Sequence, residues 1–77
     1  MDYRFEDIPL IDFVKMITVY RGLTLRKLLL KMHTTKGYSN AYAGFYNKLK
    51  NRTLKFDEMK DIANTLGYEI VFKDIKV

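Results

Sequence analysis

The chain has 77 residues, a net charge of +5 and no cysteine. That length allows one domain around one modest core, and the missing thiols exclude disulfides and zinc–thiolate staples, so helix packing, alone or shared with a second copy, has to hold the fold. The first residues are net acidic rather than basic and apolar, and no apolar run approaches the ~20 residues a bilayer requires; both predict a soluble, cytoplasmic protein with no membrane partner.

Periodicity predicts four helices followed by a strand. The first helix runs from Pro9 to Tyr20, with Asp7 as a cap and Pro9 suited to the first turn. Leu10, Phe13, Val14, Ile17 and Tyr20 recur at helical spacing and face inward, Asp12, Lys15 and Thr18 lie on the other side, and Gly22 ends the element. The second helix is capped by Thr24. Leu25, Leu28, Leu29 and Met32 form its buried stripe, and Arg26, Lys27 and Lys31 point away. Bases in a first turn oppose the helix dipole, and a phosphate docking near that end would explain them.

After His33, the polar run from Thr34 to Asn40 reads as a turn, and His33 itself suits a capping or surface role. A third helix covers Asn40 to Lys50, capped by Ser39 or Asn40. Ala41 or Tyr42, then Phe45 and Leu49, face inward, and Ala43, Gly44, Tyr46, Asn47 and Lys50 face outward. The fourth helix spans Phe56 to Leu66, with a stripe of Phe56, Met59, Ile62, Ala63 and Leu66. Asp57 and Glu58 suit its first turn and Gly67 its end. Tyr68 to Lys73 then alternates like a strand, and Tyr3 and Phe5 show a fainter alternation. A lone strand needs a partner, so this one is expected to pair with the N-terminal segment, with its own copy in a homodimer, or with both. All of this forms a single domain, residues 1–77, with a helical core over 9–67 and the strand over 68–73.

Charge is unevenly spread along these elements. Residues 1–14 carry a net −3 and residues 56–77 a net −2, whereas Lys15 to Lys55 holds ten bases and no acid. An ordinary solvated surface mixes signs, so a 41-residue stretch without a carboxylate points to an anionic partner, nucleic acid above all. The outward side of the third helix has the chemistry to read one. The amides Asn40 and Asn47 can bond adenine edges, Ala43 and Gly44 let a helix sit deep in a groove, Tyr46 adds a phenol, and Lys50 reaches guanine or phosphate. Gly44 costs up to about 1 kcal/mol inside a helix, which close approach of DNA or of the second helix would justify.

Lys48, Lys50, Arg52 and Lys55, following this helix, suit phosphate and would set register, with Arg26, Lys27 and Lys36 on the same account and Asn51 and Thr53 as neutral helpers. Tyr38, Tyr42 and Tyr46 raise the alternative of base stacking in a single-strand binder. The chain shows no histidine–carboxylate spacing, phosphate loop or metal-ligand cluster, so no enzyme activity, catalytic residue, metal or cofactor is expected.

Gly22-Leu23-Thr24, Leu28-Leu29, Phe45 with Leu49, and Met59-x-x-Ile62-Ala63-x-x-Leu66-Gly67 resemble the Cro and phage-repressor type (XRE-like) helix-turn-helix family over about Leu10 to Gly67. The resemblance implies a mainly α, compact four-helix helix-turn-helix domain, here with a C-terminal β-strand. It would be a dimeric, sequence-specific binder of double-stranded DNA that regulates transcription as a repressor of phage or mobile-element origin, with its third helix in the major groove. On it, Thr24 to Lys27 would face the DNA backbone, and Asn40, Ala43, Gly44 and Asn47 would face bases. The chain departs from the family pattern at Leu25 and Leu29 and in the longer Thr34–Ser39 connection. The alternative is a protein-interaction module on the same fold, such as an antitoxin or a phage-encoded inhibitor of a host nucleoprotein, with a protein partner.

Overall fold

Four helices form in the computed structural model, which describes residues 3–5 and 7–76: α1 (Leu10–Val19), α2 (Leu25–Lys36), α3 (Tyr42–Asn51) and α4 (Phe56–Thr65). The protein is mainly α. α2 packs on all three other helices and α1 also packs on α3. Leu25, Leu28, Leu29 and Met32 of α2 are all buried, and they meet Phe13, Val14 and Ile17 from α1, Phe45 and Leu49 from α3, and Ile62 and Leu66 from α4 and its end. Three or four apolar residues per two turns give each helix one stripe, and the core is where the four stripes converge. Among the described residues no helix is long and apolar enough to cross a membrane.

Local chemistry sets most boundaries. Thr24 caps α2 by accepting the Lys27 N–H at 3.2 Å, satisfying one of the donors a helix start leaves open. At α1 the cap position belongs to Pro9, whose carbonyl accepts from Asp12 and Phe13, and no side chain caps it; Asp7 does not take that role. α2 runs one turn past His33, so Thr34, Thr35 and Lys36 are helical rather than part of a turn. The two threonine hydroxyls donate to carbonyls one turn back, Thr34 to Leu30 and Lys31 and Thr35 to Lys31. Bonded in this way, their side chains no longer compete with the helical backbone. The helix stops at Gly37, whose left-handed φ of 74° suits a residue without a Cβ. His33 Nδ1 donates across this end to the Tyr38 carbonyl at 2.6 Å. α3 begins at Tyr42, two residues later than expected, with Ala41 in the cap position; Ser39 Oγ accepts the Ala41 N–H instead of capping the helix.

Two burial assignments at and just after α1 differ from the periodic pattern. Thr18 was expected outside, yet it is fully buried. Its hydroxyl donates to the Val14 carbonyl at 2.5 Å, which satisfies the polar atom and leaves a valine-shaped surface to pack. Tyr20 lies beyond the last residue of α1, is exposed, and rests its ring against Tyr3 at 5.1 Å.

The expected C-terminal strand is absent: residues 68–76 have no regular structure, and no strand occurs among the described residues. A strand is held by a ladder of backbone bonds to a neighbour, and the single chain offers none here. The N-terminal segment approaches through a side chain, the Tyr3 ring standing edge-on to Tyr68 at 5.8 Å. Val71, Phe72 (87% exposed) and Ile75 are left open to solvent, with Phe72 touching the body where its ring stacks on Phe56. Phe56, expected in the buried stripe of α4, is exposed even with that ring against it. An open groove of about 830 Å³ lies between the two chain ends, α1 and α4, with Phe13, Met59 and Tyr68 among its walls.

Candidate nucleic-acid interface

Burying Phe45 and Leu49 fixes the roll of α3, because residues half a turn away must face solvent. Ala43, Gly44, Asn47 and Lys50 are accordingly exposed on one continuous face, and Asn40 is exposed in the connection just before the helix. Gly44 stands in the first turn of α3, on the Lys48 side of that face. A Cβ added there would meet nothing within 4 Å, so α2 does not crowd it and no contact within the chain requires a glycine. Tyr46 is half-buried and lies on an edge of α3 rather than at the centre of the outer face.

The two edges of α3 differ in charge. Tyr42, Tyr46 and Lys50, four residues apart, share one edge, as helical spacing requires. The two rings are 6.0 Å apart. The Arg26 guanidinium from α2 lies 4.2 Å above the Tyr42 ring, and the Lys15 ammonium from α1 lies 5.6 Å above Tyr46. A cation over an aromatic face is attracted by the ring quadrupole by ~0.5–1 kcal/mol at an exposed site. Neither cation forms an ion pair among the described residues.

On the opposite edge, α4 brings carboxylates to the basic block. Lys48 pairs with Glu58 at 2.9 Å, and Lys36 lies 3.7 Å from Asp61, which also accepts the Tyr38 hydroxyl. Partial burial and then the Asp61 carboxylate push the Tyr38 phenol up, so it stays a donor through the physiological range.

Burial alone would raise the Glu58 carboxyl, but hydrogen bonds from Lys48 and from the Lys55 N–H at 3.1 Å outweigh it and hold the group below its ordinary value. A depressed acid binds its proton less readily folded than unfolded. Its stabilisation is therefore complete above the unfolded value, near ~4.3, and is lost as the pH falls through the folded one. Thermal melts between pH 3 and 7 should show this acid-side loss, and Glu58→Gln should shrink it. An unchanged acid limb in the variant would count against the ion pair.

The remaining sites expected to touch phosphate are dispersed. Thr24 is exposed but its hydroxyl already serves as the α2 cap, and Lys27, beside it, is exposed. Arg52 ends α3 in the left-handed conformation, with a φ of 58°, where glycine or asparagine is the usual occupant. Lys55 precedes α4 and is exposed. Arg21, another base of the block, is drawn to the far side, over the Tyr68 ring at 4.1 Å.

The sequence carried no signal for Lys15, because only the packing of α1 on α3 brings it to Tyr46. Glu58 and Asp61 could have been noticed: three residues apart on one helix, they form an acidic face able to meet the basic block. The chain matches no protein-family model, no curated protein and no solved structure.

Proposed function

We propose that this chain is a cytoplasmic, sequence-specific binder of double-stranded DNA, a helix-turn-helix transcriptional regulator that lays α3 in the major groove. The observation that carries the reading is the outer face of α3, where Gly44 stands in open space amid Ala43, Asn47 and Lys50. A glycine inside a helix costs up to about 1 kcal/mol relative to alanine, less in the first turn where Gly44 stands, and no contact within the chain requires a glycine there. A partner that must approach the helix backbone does. The neighbours have the chemistry for a duplex: an amide for adenine edges, a small side chain for depth, and a base for guanine or phosphate. Arg52 in a backbone conformation costly for its type, at the end of the same helix, is consistent with selection for its charge.

The regulator acts as a homodimer in this reading. The C-terminal tail is self-complementary: antiparallel pairing centred on Val71 sets Glu69 opposite Lys73 and Ile70 opposite Phe72, uniting opposite charges on one face and apolar groups on the other. A second reading, an interaction module whose partner is a protein, is favoured by the exposed Val71, Phe72 and Ile75 beside the open groove.

Selection from a random duplex library at moderate salt, with the bound sites sequenced, separates the two. The regulator returns a palindromic consensus, whereas the interaction module returns none. On the selected site, Asn47→Ala relaxes base preference at one position by about 1–3 kcal/mol. Lys50→Ala weakens all sequences alike and flattens the salt slope by about one unit. Equal, salt-independent binding by both variants would refute the assignment.

A further inference from the structure

The phosphate grip on this protein can be assigned to one edge of α3, and this assignment rests on the proposed binding of duplex DNA. Ten bases between Lys15 and Lys55 look equivalent in the sequence, but the fold divides them. Lys36 and Lys48 face Asp61 and Glu58. A cation already neutralised by a neighbouring carboxylate displaces little of its own counterion atmosphere when a phosphate arrives, and the carboxylate repels that phosphate. Lys15 and Arg26 have the opposite surroundings. Each lies over a tyrosine ring, which attracts the cation without cancelling its charge and leaves it free to meet an anion. The acid nearest in sequence, Asp12, is exposed one turn back on α1 and forms no ion pair with Lys15.

We infer that Lys15 and Arg26, continued by Lys50 one turn beyond Tyr46, form a phosphate-binding row along this edge of α3. Tyr42 and Tyr46 are its positioning residues: their rings hold two cations, from two other helices, beside the helix that reads the groove. Lys36 and Lys48 are structural and take no part. A helix lying in a groove is bounded by backbone on both sides, and this row commits the tighter contact to the side of α1 and of the α2 N-terminus.

The test is fluorescence anisotropy with a labelled 24-base-pair duplex of mixed sequence, titrated with the full chain between 50 and 200 mM KCl. Each variant's fold is checked by circular dichroism. Each phosphate contact contributes about 0.9 to the slope of log affinity against log salt, so losing one reduces the salt effect across this fourfold range by ~3.5-fold. Lys15→Gln and Arg26→Gln should each show that reduction, and Lys36→Gln and Lys48→Gln should leave the slope unchanged. Tyr46→Leu and Tyr42→Leu should follow the cation variants, while Tyr46→Phe and Tyr42→Phe, which keep the ring, should restore the full slope. Rescue by phenylalanine is not expected of a hydroxyl that contacts a base.

If the Lys36 and Lys48 variants flatten the slope as much as the Lys15 and Arg26 variants, or the leucine variants leave it intact, the row is wrong and duplex binding stands. If the unsubstituted chain fails to bind the duplex, or binds without salt dependence, the proposed function fails and the row with it.

Discussion

Replacing Gly44 with glutamate is expected to abolish duplex binding while leaving the fold at least as stable. The position is exposed, lies inside α3, and has no atom within 4 Å of where a Cβ would stand. Any ordinary helix former therefore fits without a clash and removes the backbone-entropy cost of glycine, up to about 0.5 kcal/mol for glutamate and up to about 1 kcal/mol for alanine. The new carboxylate would project from the first turn of the face proposed to enter the groove, against the negative charge of the duplex. Like charges brought together at an interface cost several kcal/mol, and a loss of at least about 100-fold in affinity follows. Gly44→Ala is the companion variant. It should raise the melting temperature by at most ~4–8 °C and weaken binding through bulk alone. Thermal melts and anisotropy titrations on the same samples check both. A Gly44→Glu protein that is folded and binds duplex normally would remove α3 from the interface.

The second large effect concerns stability and contrasts two leucines two residues apart. Leu28 is fully buried where α2 meets the other helices, whereas Leu30 is half-exposed on the outer side of α2. Leu28→Ala should cost about 3 kcal/mol, the sum of lost burial and the cavity left behind. A domain of this length has only about 4–12 kcal/mol to lose, so much of the population would unfold on mild heating and binding would decline with it. Leu30→Ala should stay within about 0.5 kcal/mol. Urea midpoints compared at equal slope measure both. Equal costs would mean that α2 does not sit at the centre of the core.

Much of the fold was legible because a helix repeats its environment every 3.6 residues, so a buried stripe announces itself in the letters. All four residues assigned to the inside of α2 are buried, as are Phe45, Leu49, Ile62, Ala63 and Leu66. Thr24 as a cap and Gly67 as a stop needed only local chemistry, and both hold. At three threonines the outcome turned on one polar atom. Thr18 packs inside because its hydroxyl finds the Val14 carbonyl, and Thr34 and Thr35 extend α2 by the same kind of bond. The tail alternates as a strand would, yet no strand forms, because a strand is a relation between two segments and the single chain supplies no second one.

The amino-acid order alone determined that this is a mainly helical chain with four amphipathic segments, a carboxylate-free basic middle, and an outer face on α3 bearing amides, small residues and a lysine. These properties repeat or accumulate along the chain, so they can be read without knowing what touches what. Tertiary structure alone decided which cations are neutralised by carboxylates and which lie over aromatic rings. Lys48 and Lys36 meet carboxylates from α4, and Lys15 and Arg26 meet rings on α3. Coulomb and quadrupole attractions fall off over a few ångströms, so residues distant along the chain act on one another only after packing has brought the helices together.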